Sequence, residues 1–455
     1  MGIPHVLAIP YPAQGHVIPM MELLQRFAKQ GFKVTCVNTE FIHKRVMQAL
    51  HEKDGDLVDM IHMTSIPDGL GPSDDRNDFV KALKAIFEVM PRKLEELIEM
   101  INETDDNKIT CLLADENIGW AFKVAEKFGI KKVAFWPAST ALLATSFSVP
   151  KLIEDKIINS NDGTIRKHQT ISLSENMPAI NTENLVWTCF PDLETQKTVF
   201  DVIVKTNAFV KLADFIICNS AYELEPAAFT LFPNLLSIGP LIATNQLGNQ
   251  VGHFWPEDST CLKWLDQQPV SSVIYVAFGS FTVFDPVQFQ ELALGLEQTN
   301  MSFLWVVRPD MTDEMNEAYP KGFIDRVGSR GRMVGWAPQE KVLRHPSVAC
   351  FLSHCGWNST IEGVSNGVPF LCWPYFADQF LNESYICDVW KVGVGFDKDE
   401  SGLIRQSEIK NKVEHLLGDE QFKARVLDLK DKVVNSVKGQ GCSNKNLRRI
   451  IDWMK

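Results

Sequence analysis

Two series of short apolar runs, each followed by a segment of helical periodicity, determine the fold class of this 455-residue sequence. The runs of the first series are His5–Pro10, Phe32–Val37, Thr110–Ala114 and Lys132–Trp136. Those of the second are Ser271–Ser280, Phe303–Val307, Met333–Gly335, Val348–Ser353, Val368–Cys372 and Val392–Phe396. Strands that alternate with helices are typical of parallel sheets. We therefore predict an α/β chain with two Rossmann-like, doubly wound sheets.

Composition divides the chain into two predicted domains. Between the two series, Gly239–Ser259 is rich in Gly, Asn, Gln and Pro and has little apolar periodicity, as interdomain linkers do. We predict an N-terminal domain over 1–240, a linker over 241–259 and a C-terminal domain over 260–439. Ligands of open α/β sheets bind outside the carboxyl ends of the strands, so the two domains are expected to face a shared cleft.

Charge and cysteine content exclude several classes of partner. The 45 basic and 57 acidic side chains give a net charge of −12, which argues against a nucleic-acid coat or a protein that binds anionic membranes. The sequence contains no apolar run of about 18 residues, the length that a membrane-spanning helix needs, and no secretory signal is visible at its start. Ten irregularly spaced cysteines are typical of reduced core thiols. These features predict a cytoplasmic protein. They do not determine its oligomeric state, and a monomer is compatible with them.

Residues whose side chains could bind a ligand are most concentrated in the stretch 336–379. It contains an apolar strand, a glycine-containing turn and the start of a helix, whose free N–H groups and positive dipole end suit a diphosphate. One turn into this helix, Glu362 is placed to accept hydrogen bonds from a ribose diol, and the flat face of Trp336 suits a base. Further donors at the turn are His354, Asn358 and Ser359.

Structural interpretations of these residues stay open beside the functional one. Asn358 and Ser359 could merely cap a helix, and the tryptophans could belong to the core. The D-x-D pairs Asp54/Asp56 and Asp397/Asp399 lie in polar turns, where solvated carboxylates are usual, so no metal site is predicted.

A candidate proton acceptor follows the first predicted strand, in the sequence Gln14-Gly15-His16. With a reference pKa of about 6.5, a histidine at this turn could take a proton from a hydroxyl at neutral pH. A lone histidine can equally be a packed or helix-terminal residue. Asp115 favours the catalytic interpretation, because it ends an apolar strand and could hold the imidazole tautomer and stabilise the imidazolium.

The stretch from Trp336 to Gln379 closely resembles the signature box of plant UDP-dependent glycosyltransferases of family 1, and the resemblance covers essentially the whole chain. It implies a GT-B fold whose C-terminal domain binds a UDP-sugar. By this resemblance, Trp336 stacks on uracil, whose edge meets the backbone near Ala337. The other implied donor contacts are Gln339 and Glu362 to the ribose; Ser280, His354, Asn358 and Ser359 to the diphosphate; and Trp357, Asp378 and Gln379 to the sugar.

The resemblance also concerns the N-terminal domain. His16 and Asp115 match the catalytic histidine of the family and its aspartate partner, and relatives pack a last helix, here about 440–455, back across this domain. Many relatives carry Thr or Ser after the aromatic residue that ends the strand at Trp136. Here that position is Pro137, with Ser139 and Thr140 a little later, so one sugar contact is put in question.

The implied reaction is the inverting transfer of a sugar from a UDP-sugar to a hydroxyl or carboxyl group of a small hydrophobic acceptor, such as a phenolic, flavonoid or terpenoid. A β-glycoside results, and glucose is expected because the box ends in glutamine. Neither a metal nor another cofactor is implied. The alternatives are a non-catalytic UDP-sugar sensor or carrier, and a GT-B-like epimerase or phosphorylase. Segments expected to line the acceptor pocket are Gly119-Trp120, Thr140–Ser148, Lys151–Thr198 and Phe376.

Overall fold

A computed structural model describes the chain apart from residues 1, 51–59, 72, 77, 105, 242–253, 256, 281, 309–310 and 312–318. Two compact units make up the described chain, one within 1–255 and 434–455 and the other within 256–433. Most of the predicted linker and the pair Asp54/Asp56 lie outside the described residues.

The described part of the first unit contains nine strands. They are β1 (His5–Ile9), β2 (Lys33–Thr39), β3 (His62–Ile66), β4 (Ile109–Asp115), β5 (Lys131–Trp136), β6 (Thr170–Ile171), β7 (Ile180–Asn181), β8 (Phe215–Cys218) and β9 (Leu235–Ser237). Its first helices are α1 (Gln14–Lys29), α2 (Glu40–Leu50), α3 (Phe79–Glu88), α4 (Met90–Thr104), α5 (Trp120–Lys127), α6 (Thr140–Phe147), α7 (Val149–Glu154), α8 (Leu193–Phe209) and α9 (Pro226–Leu231).

Seven of these strands form one parallel sheet in the order β3-β2-β1-β4-β5-β8-β9. The chain starts in the middle at β1 and winds outward in both directions, so the sheet is doubly wound. Its parallel strands end at one edge, where β1 leads into α1 and β4 ends at Asp115. Strands β6 and β7 pair antiparallel outside this sheet.

The second unit contains a parallel sheet of six strands in the order β12-β11-β10-β13-β14-β15. The strands are β10 (Val273–Ala277), β11 (Ser302–Val306), β12 (Gly331–Val334), β13 (Val348–Ser353), β14 (Phe370–Cys372) and β15 (Gly393–Gly395). The helices are α10 (Thr260–Leu265), α11 (Pro286–Gln298), α12 (Phe323–Val327), α13 (Gln339–Arg344), α14 (Trp357–Asn366), α15 (Gln379–Ser384), α16 (Gln406–Gly418) and α17 (Glu420–Ser436).

The last helix, α18 (Cys442–Met454), belongs to the first unit. Its apolar residues recur at helical spacing, and the four that are buried in one core cluster with α1 and β1 are Leu447, Ile450, Ile451 and Met454. Helix α1 presents the same spacing to that cluster through Met20, Leu23, Leu24 and Phe27. Each helix is therefore held by an amphipathic face that the sheet covers.

The predicted α/β class with two doubly wound sheets is confirmed, and every predicted strand overlaps an observed one. Three strands of the main sheet, β3, β8 and β9, were not predicted, because they are short or carry exposed polar side chains. The stretch Lys151–Thr198 lacks sequence periodicity and was expected to be irregular. This prediction is wrong at both ends, because α7 extends to Glu154 and α8 begins at Leu193. Asp192 starts that helix by accepting a hydrogen bond of 2.8 Å from the Thr195 N–H.

Candidate active site

His16 and Asp115 form a hydrogen-bonded pair in the first unit. His16 lies in the first turn of α1, and its Nδ1 is 2.7 Å from Oδ2 of Asp115. Ninety-nine residues separate the two in the chain, but β1 and β4 are adjacent in the sheet, with Ile9 beside Ala114. The Asp115 side chain is fully buried, whereas that of His16 keeps 22% of its surface exposed. The pair therefore offers an accessible imidazole that is oriented from behind by a buried carboxylate.

Both partners are held in place by their neighbours. The second carboxylate oxygen of Asp115 accepts a hydrogen bond of 3.0 Å from the Asn117 N–H, which caps the 3₁₀ turn Glu116–Ile118. The Tyr11 ring lies 5.2 Å from the imidazole of His16, tilted by 56°. With Nδ1 donating to the carboxylate, Nε2 of His16 is the nitrogen that can accept a proton.

Burial controls the charge around this pair. Burial, reinforced by the negative charge of Asp115, raises the pKa of Glu116 to about 8 and that of Tyr11 to about 12. Both groups are therefore mainly protonated at neutral pH, and neither adds a second negative charge beside Asp115.

In the second unit, β13 leads through a tight turn into α14. Cys355 adopts a left-handed backbone with φ of 63°, and its N–H donates to Oγ of Ser353 over 3.1 Å. Gly356 occupies the cap position of α14, so no cap side chain fills the helix N-terminus. A non-glycine residue with positive φ stores backbone strain of the kind that clusters at ligand sites. This geometry is the one expected of a diphosphate site.

The ring of His354 packs against two glycines of this turn region. A Cβ on Gly356 would lie 2.4 Å from Nε2 of His354, and one on Gly279, after β10, would lie 2.6 Å from it. Burial lowers the pKa of His354 to about 4, and the nearby Arg308 charge acts in the same direction. The imidazole is therefore neutral at pH 7 and can serve as a hydrogen-bond donor or acceptor.

Gln339, Ser359 and Glu362 form one polar cluster between α13 and α14. The amide nitrogen of Gln339 donates to Oγ of Ser359 over 2.8 Å and to a carboxylate oxygen of Glu362. The amide oxygen accepts from the hydroxyl of Tyr275 over 3.1 Å. Trp336, which is partly exposed, and the buried Ala337 immediately precede this cluster in the chain. The structure thus brings the two residues predicted to contact the ribose, Gln339 and Glu362, together.

The residues predicted to contact the sugar lie at the start of α15 and of α14. Oε1 of Gln379 accepts from the N–H groups of Tyr375 and Phe376 over 2.7 and 3.1 Å, which leaves its amide nitrogen pointing away from that turn. Asp378 accepts a hydrogen bond of 2.8 Å from Nδ2 of Asn382. The neighbouring Trp357 is buried, with its ring 6.4 Å from that of Trp390.

Three residues near the predicted site were missed by sequence reasoning. Tyr275 lies in β10 and orients Gln339. Asn382, fully buried in α15, bridges Asp378 and the carbonyl oxygen of Cys355, to which it donates over 2.8 Å. Arg308, at the end of β11, bonds the loop that carries Ser280. Of the three, only Asn382 could have been inferred from the sequence, because residues four apart on a helix are neighbours and Asn382 follows Asp378 by four.

The residues that follow Trp136 serve the local fold. Pro137 is buried, and Ser139 is a helix cap, since its Oγ accepts from the Leu142 N–H over 3.2 Å. The backbone N–H of Thr140 donates to the buried carboxylate of Glu225 over 2.8 Å. Both Ser139 and Thr140 are fully buried. Ser139 and Thr140 thus anchor the start of α6.

Four further features of the described chain bear on the predictions. All ten cysteines are free thiols. Within the described ranges, no three His, Cys, Asp or Glu side chains form a group that could hold a metal ion. Asp397 and Asp399, one of the D-x-D pairs, bond Lys412 and Arg405 respectively. None of the described helices combines the length and apolarity needed to cross a membrane.

Comparison with known proteins identifies a family that matches almost the whole chain. A family model described as "UDP-glucoronosyl and UDP-glucosyl transferase" matches residues 4–435. UDP-glycosyltransferase 83A1 of Arabidopsis thaliana is 45% identical over 464 residues, which cover 100% of this chain and 97% of that protein.

Solved structures are similar over the same extent. A UDP-glucosyltransferase from Polygonum tinctorium that can glucosylate indoxyl, solved with 3,4-dichloroaniline, has a TM-score of 0.84 and 26% identity over 100% of this chain and 99% of its own. Os79 from O. sativa, solved with UDP, has a TM-score of 0.83 and 25% identity over 99% of this chain and 100% of its own. The chain therefore belongs to the plant UDP-glycosyltransferases, enzymes of the UDP-glucuronosyl and UDP-glucosyl transferase family with two Rossmann-like sheets in a GT-B fold.

Proposed function

We propose that this enzyme transfers glucose from UDP-glucose, with inversion, to a hydroxyl or carboxyl group of a small hydrophobic acceptor. The observation that carries the proposal is the 2.7 Å hydrogen bond between His16 and Asp115, because a sensor or carrier of UDP-sugars needs no such pair. The product is a β-glycoside, and UDP is released.

The donor is held by the second unit. Trp336 stacks on the uracil, whose edge meets the backbone near Ala337, and Gln339 and Glu362 bind the ribose. This assignment is supported by the polar cluster that already joins the last two residues. The predicted diphosphate ligands are Ser280, His354, Asn358, Ser359 and the N-terminus of α14. Trp357, Asp378 and Gln379 bind the sugar. The structure of Os79 with UDP supports UDP as the nucleotide of the donor. The similarity to the Polygonum tinctorium UDP-glucosyltransferase supports glucose as its sugar.

His16 acts as general base. Its Nε2 accepts the proton of the acceptor hydroxyl while that oxygen attacks the anomeric carbon from the face opposite UDP. Asp115 holds the imidazole in the required tautomer and stabilises the imidazolium that forms. The helix N-terminus at α14 stabilises the charge that develops on the departing diphosphate, so the donor set proposed here includes no metal.

The acceptor is bound by the first unit, through Gly119-Trp120, Thr140–Ser148 and 151–198. The Polygonum tinctorium enzyme can glucosylate indoxyl and was solved with 3,4-dichloroaniline, and both molecules are small and aromatic, which supports a hydrophobic acceptor here. Free cysteines throughout the chain support the proposal that the enzyme works in the reducing cytoplasm.

The direct test is a mass-spectrometric screen of hydroxylated small molecules with UDP-glucose and UDP-galactose. We expect acceptors heavier by one hexosyl unit, formed faster from UDP-glucose, together with an equal amount of UDP. Binding of UDP-glucose without either product would favour the sensor or carrier. Turnover of UDP-glucose without an acceptor would favour an epimerase, and release of glucose 1-phosphate would favour a phosphorylase.

A further inference from the structure

Arg308 is a buried cation in the second unit that no motif of the sequence singles out. It follows the apolar strand β11 by two residues, and only 1% of its surface is exposed. Its guanidinium donates to the carbonyl oxygen of Gly279 and, over 3.0 Å, to that of Thr282. Hydrogen bonds from an ionised donor are stronger than neutral ones, so this side chain firmly braces the loop after β10.

The same loop is tied a second time to the segment that follows Arg308. The N–H of Phe284 donates to the carbonyl oxygen of Met311 over 3.1 Å, and the N–H of Met311 donates to that of Arg308 over 3.1 Å. Arg308 and Met311 therefore bond the residues after β10 at Gly279, Thr282 and Phe284.

The braced loop lies against the turn of the proposed diphosphate site. Gly279 has φ of +70° and leaves no room for a side chain beside Nε2 of His354. Ser280, the next residue, is partly exposed. The Arg308 charge is also close enough to His354 to contribute to the lowered pKa of that imidazole. A displacement of the loop would thus move Ser280 and at the same time change how Gly279 packs against the ring of His354.

We propose that Arg308 is a positioning residue for the diphosphate of the donor, which it serves by holding the backbone of Gly279 and the hydroxyl of Ser280 in the geometry that binds the β-phosphate. This inference rests on the proposed function. It adds to it a residue outside the signature box that supports the phosphate end of the nucleotide rather than the uridine end.

The test compares UDP with UMP, because only UDP carries the β-phosphate. Calorimetric titration of Arg308→Met is expected to show an affinity for UDP reduced at least tenfold, with that for UMP changed less than threefold. Arg308→Lys keeps the charge but cannot bond both carbonyl groups in the same way, so an intermediate loss is expected. Arg26→Met is the matched control, since Arg26 also bonds a backbone carbonyl, that of Leu241, in the other unit. It should lower the melting temperature without changing the UDP to UMP ratio.

A double-mutant cycle with Ser280→Ala tests whether Arg308 acts through the loop. We expect Arg308→Met to add little to the loss of UDP affinity that Ser280→Ala already causes. Additive losses, or equal weakening of UDP and UMP, would overturn the inference. If Arg308→Met does not fold, the Arg308→Lys cycle decides in the same way. A wild-type protein that fails to bind UDP would instead refute the proposed function, so the two failures are distinguishable.

Discussion

Replacement of Asp115 by asparagine should disable the proposed base while leaving the donor site intact. The Asn117 N–H donates to one carboxylate oxygen of Asp115, so the amide oxygen of the replacement is expected to take that position. Its amino group then faces Nδ1 of His16, where the second carboxylate oxygen now accepts. Nδ1 must then act as acceptor, which moves the imidazole proton to Nε2 and removes the lone pair that the reaction needs.

The loss of charge adds to the loss of tautomer. Two unit charges about 4 Å apart interact by about 4 kcal/mol at an effective dielectric constant of about 20. Because the His16 side chain is 22% exposed, solvent screens this interaction, and the value is an upper bound for the stabilisation of the imidazolium. Since about 1.4 kcal/mol corresponds to a tenfold change in rate, we expect kcat for Asp115→Asn to fall by about 10²- to 10³-fold.

The assay is UDP release with a saturating acceptor, accompanied by calorimetric measurement of UDP affinity. UDP affinity should stay within twofold of wild type, because Asp115 belongs to the unit that does not hold the proposed nucleotide site. Glu116→Gln is the matched control, since Glu116 is the adjacent buried carboxyl but is not the one bonded to His16. A kcat for Asp115→Asn within threefold of wild type, or equal losses in both variants, would refute the reasoning.

Three further predictions concern the donor site and pH. Gly356→Ala places a Cβ 2.4 Å from Nε2 of His354, so UDP affinity should fall at least tenfold by calorimetry; unchanged affinity would contradict the proposed diphosphate site. Trp336→Ala removes a stacking face worth about 1–3 kcal/mol, which predicts a loss of about 5- to 150-fold in UDP affinity. Glu116 has its pKa raised to about 8 in the folded protein, so its contribution makes wild-type stability fall as pH rises from about 4.5 to about 8. The free energy of unfolding of Glu116→Gln, measured with urea, should lack this pH-dependent contribution. Identical pH profiles of that free energy for the variant and wild type would contradict the prediction.

The parts of the fold that the sequence predicts are those set by local pattern. The apolar spacing of Met20, Leu23, Leu24 and Phe27 predicts α1 because a helix repeats every 3.6 residues, and all four side chains are buried in one core cluster. The strand, turn and helix around Gly356 are predicted for the same reason. Even the pair of His16 and Asp115 follows from local rules, since both residues were assigned to the carboxyl ends of strands in a parallel sheet.

What the sequence does not show depends on contacts between distant segments. Arg308 looks like a residue that leaves an apolar strand for solvent, but two carbonyl groups from a loop almost thirty residues earlier surround it. Tyr275 likewise reads as a core aromatic residue, although its hydroxyl group orients Gln339. The first turns of α8 were missed because the residues that follow Leu193, up to Thr198, are polar, and only the cap at Asp192 marks the start of the helix.

The central claim is that proton removal and nucleotide binding are separate tasks of the two units, and His16→Ala tests it most directly. The measurement is UDP release and UDP affinity on the same preparation of His16→Ala and wild type. We predict that turnover is nearly abolished, by about 10²- to 10⁴-fold as expected for loss of a general base, while UDP binds as in wild type. Turnover within a few-fold of wild type would show that His16 is not the base.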